Sequence, residues 1–340
     1  MTVEGEKRVL VTGGDIEQAW LSPLEDFGLE VDIERETLAV GPLFERLQGC
    51  SYYLYGGIEA ADELDDGQLR ELHDAGLELI AFAGKGVTDF LNVQGAQKAG
   101  IVVANTPGAV EPSVAEFTVM LALAVLRDVL PRSLAWLQQN GTVTTARDMA
   151  AREIGLGRDL AEVTVGVVGL GDIGRLVAEL LVTGYGTRVV YTSRTRKEAL
   201  EEELGLTYLE PRNLVDESDL VTIHLANTAG SRDFTASIPF EQTSSPFFLV
   251  NTASQALIGA ERLAGLMSKG TITSAAFDKI YSHEELESSG LVEFLPDRLL
   301  VTNHAANATR GAWRRMTGMA VDNIVACASG RCAPNAVELP

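Results

Sequence analysis

Over the first hundred residues, short β-branched runs alternate with stretches of helical periodicity, and glycine or proline punctuates most of the boundaries. The runs are Arg8–Thr12, Glu30–Ile33, Ser51–Tyr55, Leu77–Phe82 and Ile101–Ala104, a rhythm that predicts a small parallel sheet flanked by helices. After Thr106-Pro-Gly108, the segment Glu111-Pro-Ser-Val-Ala-Glu116 puts proline in a first helical turn, and Ser113 with Glu116 has capping-box spacing. A long helix reaching about Arg127 follows, its apolar positions too continuous for a surface helix, which predicts burial between domains or subunits. A second alternation supplies six strands at Val163–Val168, Arg188–Thr192, Leu220–His224, Phe247–Asn251, Ser274–Asp278 and Leu299–Thr302. That succession suits a doubly wound dinucleotide fold, closed by a helix from Thr309 to Cys327.

Length and composition narrow the class. At 340 residues the chain exceeds the size at which one core keeps growing, so two domains are expected. Hydrophobic residues at 46%, charged residues at 22% and 33 glycines fit a globular α/β protein. The longest apolar run, Phe117–Leu126, has about half the length a membrane span requires. The N-terminal residues Met1–Lys7 are polar and lack the apolar centre of a signal peptide. Cys50, Cys327 and Cys332 are too few and too scattered for a disulfide framework or a zinc site, and a reducing, cytoplasmic setting fits them. No metal is expected. The net charge of −21 repels phosphate backbones and anionic lipid, which argues against nucleic acid and membrane partners. An anionic small molecule would need a local pocket lined by amides or cations.

Gly169-Leu-Gly171-Asp172-Ile173-Gly174 supplies such a place. This GxGxxG string lies between a strand-like Val163–Val168 and a helix-like Arg175-Leu-Val-Ala-Glu-Leu-Leu181, the context that pyrophosphate binding demands. The first glycine permits the turn, the second admits the pyrophosphate, and the third lets helix pack on strand. An acid about 20 residues further on normally holds the ribose 2′-hydroxyl of NAD. Here the segment reads Ser193-Arg194-Thr195-Arg196-Lys197, with positive charge in place of the acid, which favours NADP(H) over NAD(H).

With these pieces in place the sequence resembles the D-isomer-specific 2-hydroxyacid dehydrogenase family, within it the glyoxylate and hydroxypyruvate reductase branch. Beside the glycine string, the likeness rests on Gly84-Lys-Gly-Val87, Gly100-Ile-Val-Val-Ala-Asn-Thr-Pro-Gly108, Ser113-Val-Ala-Glu116, Tyr191-Thr-Ser-Arg-Thr-Arg-Lys197, Ser218-Asp-Leu-Val-Thr-Ile-His224, Asn251-Thr-Ala253, Ala275-Ala-Phe-Asp278 and Thr302-Asn-His304. The resemblance implies two Rossmann-like α/β domains. A nucleotide domain over residues 108–305 is inserted into a flavodoxin-like substrate domain made of 1–107 and 306–340. It further implies a homodimer formed through the nucleotide domains with the helix after Pro112, nucleotide contacts at Ala253 and Asp278, and His304 as the proton donor to a substrate carbonyl.

The same resemblance exposes departures. The family's Asn-x-x-Arg-Gly reads Asn251-Thr-Ala-Ser254-Gln255, so Ser254 replaces the guanidinium fork that grips a 2-oxo acid. The acid that would partner the histidine falls on His283; Glu284 and Glu285 follow, and a one-residue shift in the loop would give the role to either carboxylate, Glu284 before Glu285. Asn303 replaces the proline before the histidine. Lys85, in a Gly84-Lys85-Gly86 loop whose amides would receive a substrate carboxylate, is a compensating cation. Two functions stay open on this reading: a reductase of a 2-oxo acid, related ketone or imine, and a dinucleotide-binding sensor or scaffold with little turnover.

Overall fold

The computed structural model describes residues 7–57, 59–138, 156–278 and 281–338; the polar segment Met1–Glu6 read above lies outside them. The chain divides into two units, one of the residues up to Val110 together with those from Asn307 onward, the other Glu111–Ala306. Among the described residues no helix is long and apolar enough to cross a membrane.

In the first unit, β1 (Arg8–Thr12), β2 (Glu30–Glu34), β3 (Tyr52–Tyr55), β4 (Leu79–Phe82) and β5 (Val102–Ala104) form a parallel sheet of order β2-β1-β3-β4-β5. This is the flavodoxin-like order, with its switch point between β1 and β3. Side chains alternate across the pleat, so Tyr53 and Tyr55 enter one core while Tyr52 and Leu54 enter the other. On the first face lie α2 (Val40–Leu47), α3 (Asp66–Asp74) and α4 (Val93–Ala99). On the second lie α1 (Ser22–Asp26) and the last helix, α13 (Arg310–Ala328), which packs on β3 and β4. Each buried tyrosine hydroxyl finds a partner: Tyr53 at Thr12 Oγ1 (2.9 Å), Tyr55 at the Glu59 carbonyl (2.8 Å), Tyr52 at Glu78 (3.1 Å).

The second unit carries α5 (Glu111–Leu126), α6 (Val129–Gln138) and seven parallel strands: β6 (Thr164–Val168), β7 (Arg188–Thr192), β8 (Thr207–Tyr208), β9 (Leu220–Ile223), β10 (Phe247–Asn251), β11 (Ile272–Phe277) and β12 (Leu299–Val301). Their order is β12-β11-β10-β9-β6-β7-β8, so the chain reverses direction across the sheet between β6 and β9. Ligands of open α/β sheets bind outside the carboxyl ends of strands at such a point. The connecting helices are α7 (Asp172–Tyr185), α8 (Glu198–Leu204), α9 (Pro211–Glu217), α10 (Ala229–Ser237), α11 (Ala260–Ser268) and α12 (His283–Ser289). Buried along most of its length, α5 packs against α7, β10 and β11, which explains its unbroken apolar sequence.

Two expectations change. The helix α5 begins at Glu111, so Ser113 lies inside its first turn and does not cap it; Pro112, needing no amide partner, allows the earlier start. The two-residue edge strand β8 was not foreseen, being too short to show a period.

The join between β6 and α7 sets the position of the helix. Gly169 adopts φ +94°, a conformation L side chains rarely take. A Cβ on Gly174 would overlap the Gly169 carbonyl oxygen, whereas a Cβ on Gly171 would meet nothing within 4 Å. Gly174→Ala is therefore expected to lower stability by roughly 2–4 kcal/mol through forced separation of helix and strand, while Gly171→Ala should stay within about 0.5 kcal/mol of the parent. Urea denaturation of both variants checks this; equal stabilities would contradict the packing argument.

Candidate functional site

The N-terminus of α7 stands at the sheet's switch point, with Gly171 as its N-cap and no side chain capping it. Amides of a first helical turn have no intrahelical acceptor, and the helix dipole places partial positive charge there. Because the fold does not need Gly171 to be small, the missing Cβ leaves open space over these amides. That cradle fits a pyrophosphate group. Asp172 and Ile173 open the helix on either side of the turn's exit. His224 follows β9, with its carbonyl oxygen 2.7 Å from where a Gly169 Cβ would be. Its Nε2 is buried with no hydrogen-bond partner among the described residues, and burial pushes its pKa down to about 3, so the ring is neutral at working pH. Its part in the site was not read from the sequence, where it was only one letter of a family string.

At the end of β7 the cations separate into two kinds. Arg196 is held by Glu201 through Nε (2.9 Å) and Nη2 (2.7 Å), and it lies over the Tyr208 ring at 5.8 Å. Glu201 also accepts the Tyr191 hydroxyl, and the pair drives its pKa down to about 2. The guanidinium expected to face a 2′-phosphate is thus already engaged. Arg194 and the Lys197 ammonium are exposed and make no ion pair or hydrogen bond among the described residues. Ser193 donates to the Thr195 carbonyl (2.7 Å), which shapes the turn that carries Arg194.

His304 sits in a tightly specified loop after β12. Its φ is +53°, an uncommon region for any residue but glycine. The clamp is Asp278, 2% exposed at the end of β11. One carboxylate oxygen accepts from Thr302 Oγ1 (2.6 Å) and the Ala305 amide (2.7 Å), and the other from the Ala306 amide (3.0 Å). The Asp278 carbonyl receives the His304 amide (2.8 Å). Asp278 therefore positions the histidine loop, a task the sequence did not assign to it.

The acid partners expected for His304 lie at the start of α12. Ser282 and Glu285 form a capping box at the start of α12, and His283 meets Glu287 at 3.1 Å. Glu284 is exposed in the same turn, and no hydrogen bond or ion pair joins it to His304 among the described residues. Ser254 is 8% exposed, and its hydroxyl accepts the Ala256 amide (3.3 Å). Asn251 ties the same turn, receiving the Ala253 amide (2.9 Å) and donating to the Ser254 carbonyl (2.9 Å). Ser254 is thus a local cap in place of a reaching cation. In the first unit, the Gly84–Gly86 loop is anchored by the Thr106 amide on the Gly84 carbonyl (2.9 Å) and Asn105 Nδ2 on the Lys85 carbonyl (2.9 Å), leaving Lys85 and Gly86 exposed. Among the described residues no cluster of three or more His, Cys, Asp or Glu could hold a metal ion.

Comparison with known proteins supports the same assignment. Residues 119–306 match the profile of the D-isomer specific 2-hydroxyacid dehydrogenase, NAD binding domain. A glyoxylate reductase of Aeropyrum pernix is 35% identical over 252 residues, 74% of this chain and 73% of that protein. Another from Korarchaeum cryptofilum is 28% identical and covers 97% of this chain and 96% of its own. Among solved structures, a Thermus thermophilus protein superposes with TM-score 0.76 at 29% identity, covering 97% of this chain and 100% of that one. D-2-hydroxyisocaproate dehydrogenase shares the fold at TM-score 0.80 and 19% identity, over 97% and 99% of the two chains. On its glycine turn, its sheet order and these matches, the chain belongs to the D-isomer specific 2-hydroxyacid dehydrogenase family and carries that family's NAD-binding domain.

Proposed function

We propose that this protein is an NADP(H)-dependent reductase of a small 2-oxo acid or related carbonyl compound, with His304 as proton donor. The observation that carries it is the uncapped α7 terminus over Gly171, followed at the end of β7, where an acid would select NAD, by an Arg194 with no ion pair among the described residues. Kinship with glyoxylate reductases supports the substrate class.

The bound dinucleotide supplies hydride to the carbonyl carbon. His304, held by the Asp278 clamp, gives a proton to the carbonyl oxygen as charge develops there. Arg194 with Lys197 receives the 2′-phosphate, and Arg196 stiffens the turn through Glu201. With Ser254 committed to its own turn, the loop amides at Gly84–Gly86 and the Lys85 ammonium take the substrate's carboxylate. Ser254, which caps its own turn where the resembled family carries an arginine, favours a second reading, a dinucleotide sensor with slow turnover, which would show tight nucleotide binding and no reduction across a panel of oxo acids.

An apolar cleft of about 480 Å³ between α5, α6 and α7 exposes Met120, Val129, Leu180 and Tyr185. We assign it to a second copy of this chain, the homodimer that the resemblance implies.

Arg194→Ala should raise the KM for NADPH at least about tenfold, the loss of one charge-assisted phosphate contact, and leave that for NADH within about twofold. Equal losses for both cofactors would remove the 2′-phosphate assignment. His304→Gln should cut kcat by roughly 10²–10⁴ with NADPH affinity unchanged; full turnover would dismiss the proton-donor role. For the dimer, sedimentation of Leu180→Asp should show a monomer where the parent sediments as twice that mass, and a monomeric parent would refute the interface.

A further inference from the structure

Apart from the glycine turn, the first unit contains a cleft of about 300 Å³ whose lining includes Asp15, Glu17, Trp20, Thr309, Arg310 and Trp313. The loop carrying Asp15 and Glu17 leaves the carboxyl end of β1, beside the switch point of this sheet, where open α/β folds place ligands. Trp20 ends a short 3-10 turn, Gln18–Trp20, and Trp313 lies in the first turn of α13. Both indoles are half-buried and line the cleft, Trp313 with part of its surface on the core beneath, and neither stacks on another ring among the described residues.

The charges decide what the cleft suits. Arg310 grips Glu17 with both arms, Nε to Oε1 at 2.6 Å and Nη2 to Oε2 at 2.8 Å, and the pairing lowers the Glu17 pKa. The guanidinium is 78% exposed at its side chain, yet its fork is filled, so it offers little to an anion. Arg314 adds a weaker pull on Glu17 but does not line the cleft. The Ala312 amide donates to the Thr309 hydroxyl (3.0 Å), which caps α13 and engages one of the amides an anion would seek. Asp15 is exposed and makes no hydrogen bond or ion pair among the described residues. A carboxylate with no partner among the described residues, in a cleft lined by two tryptophans on a chain of net charge −21, is complementary to a cation with an apolar body.

We propose that this cleft binds an alkylated ammonium compound, its methyl groups against Trp20 and Trp313 and its charge toward Asp15. The Glu17–Arg310 pair forms one wall and fixes the loop after β1 against α13. The cleft is lined by residues of the first unit alone, and its occupancy does not depend on the assignment of dinucleotide and carbonyl substrate.

The test is titration of the full chain with choline, followed by tryptophan fluorescence and calorimetry, with uncharged 3,3-dimethylbutan-1-ol and anionic 3,3-dimethylbutyrate as isosteric controls. Saturable binding of choline is expected, weakened at least tenfold in Asp15→Asn and in Trp313→Leu and retained in Trp313→Phe. Asp15 is a surface residue, so its variant keeps the test valid if the Trp313→Leu chain does not fold. No binding of choline, equal binding of the neutral isostere, preference for the carboxylate, or full affinity in folded Asp15→Asn would each overturn the proposal.

Discussion

Helix α7 can follow β6 as closely as it does because Gly174 has no Cβ to strike the carbonyl of Gly169. This one steric allowance fixes where the helix begins, and so where its unpaired amides and the positive end of its dipole are presented. On a chain of net charge −21 a phosphate needs such a local refuge, since the protein's general field opposes it. The open space at Gly171 completes the arrangement: one glycine is required by packing, and the other is left to a ligand.

The catalytic proposal rests on a second constraint of the same unit. Asp278 is buried, and a buried carboxylate is tolerable only when hydrogen-bonded. Its three carboxylate bonds all go to residues flanking His304, and its carbonyl takes the His304 amide. The unfavourable φ of +53° is therefore maintained by bonds that cannot relax without stranding a charge. A loop so fixed has little backbone freedom to lose when substrate arrives.

How far the sequence discloses this depends on the range of each signal. The strands of both sheets are legible because parallel strands buried on both faces read as apolar runs, and the glycine turn is legible because three positions at fixed spacing meet three steric demands. What escapes is whatever depends on a partner chosen in three dimensions. Arg194, Arg196 and Lys197 look alike as letters, and only the fold shows that Glu201 has taken Arg196, although an acid five residues on, at the start of a helix, is a signal that could have been weighed. Ser254 looks like a vacant substrate position and proves to be a turn cap. Glu284, Glu285 and His283 look interchangeable in a loop, but the Ser282 capping box makes that segment a helix, engages Glu285 as part of the cap and sets His283 beside Glu287. The Trp20–Trp313 cleft joins residues nearly three hundred positions apart, beyond any local pattern.

The central claim is that amides at α7 hold a dinucleotide whose 2′-phosphate is met by the free cations after β7. Calorimetric titration of the unmodified chain with NADPH and with NADH, at one ionic strength, tests it most directly. The account predicts one site per chain for NADPH, with a Kd at least about tenfold below that for NADH, as one charge-assisted phosphate contact requires. Tighter binding of NADH, or no heat with either nucleotide, would contradict it.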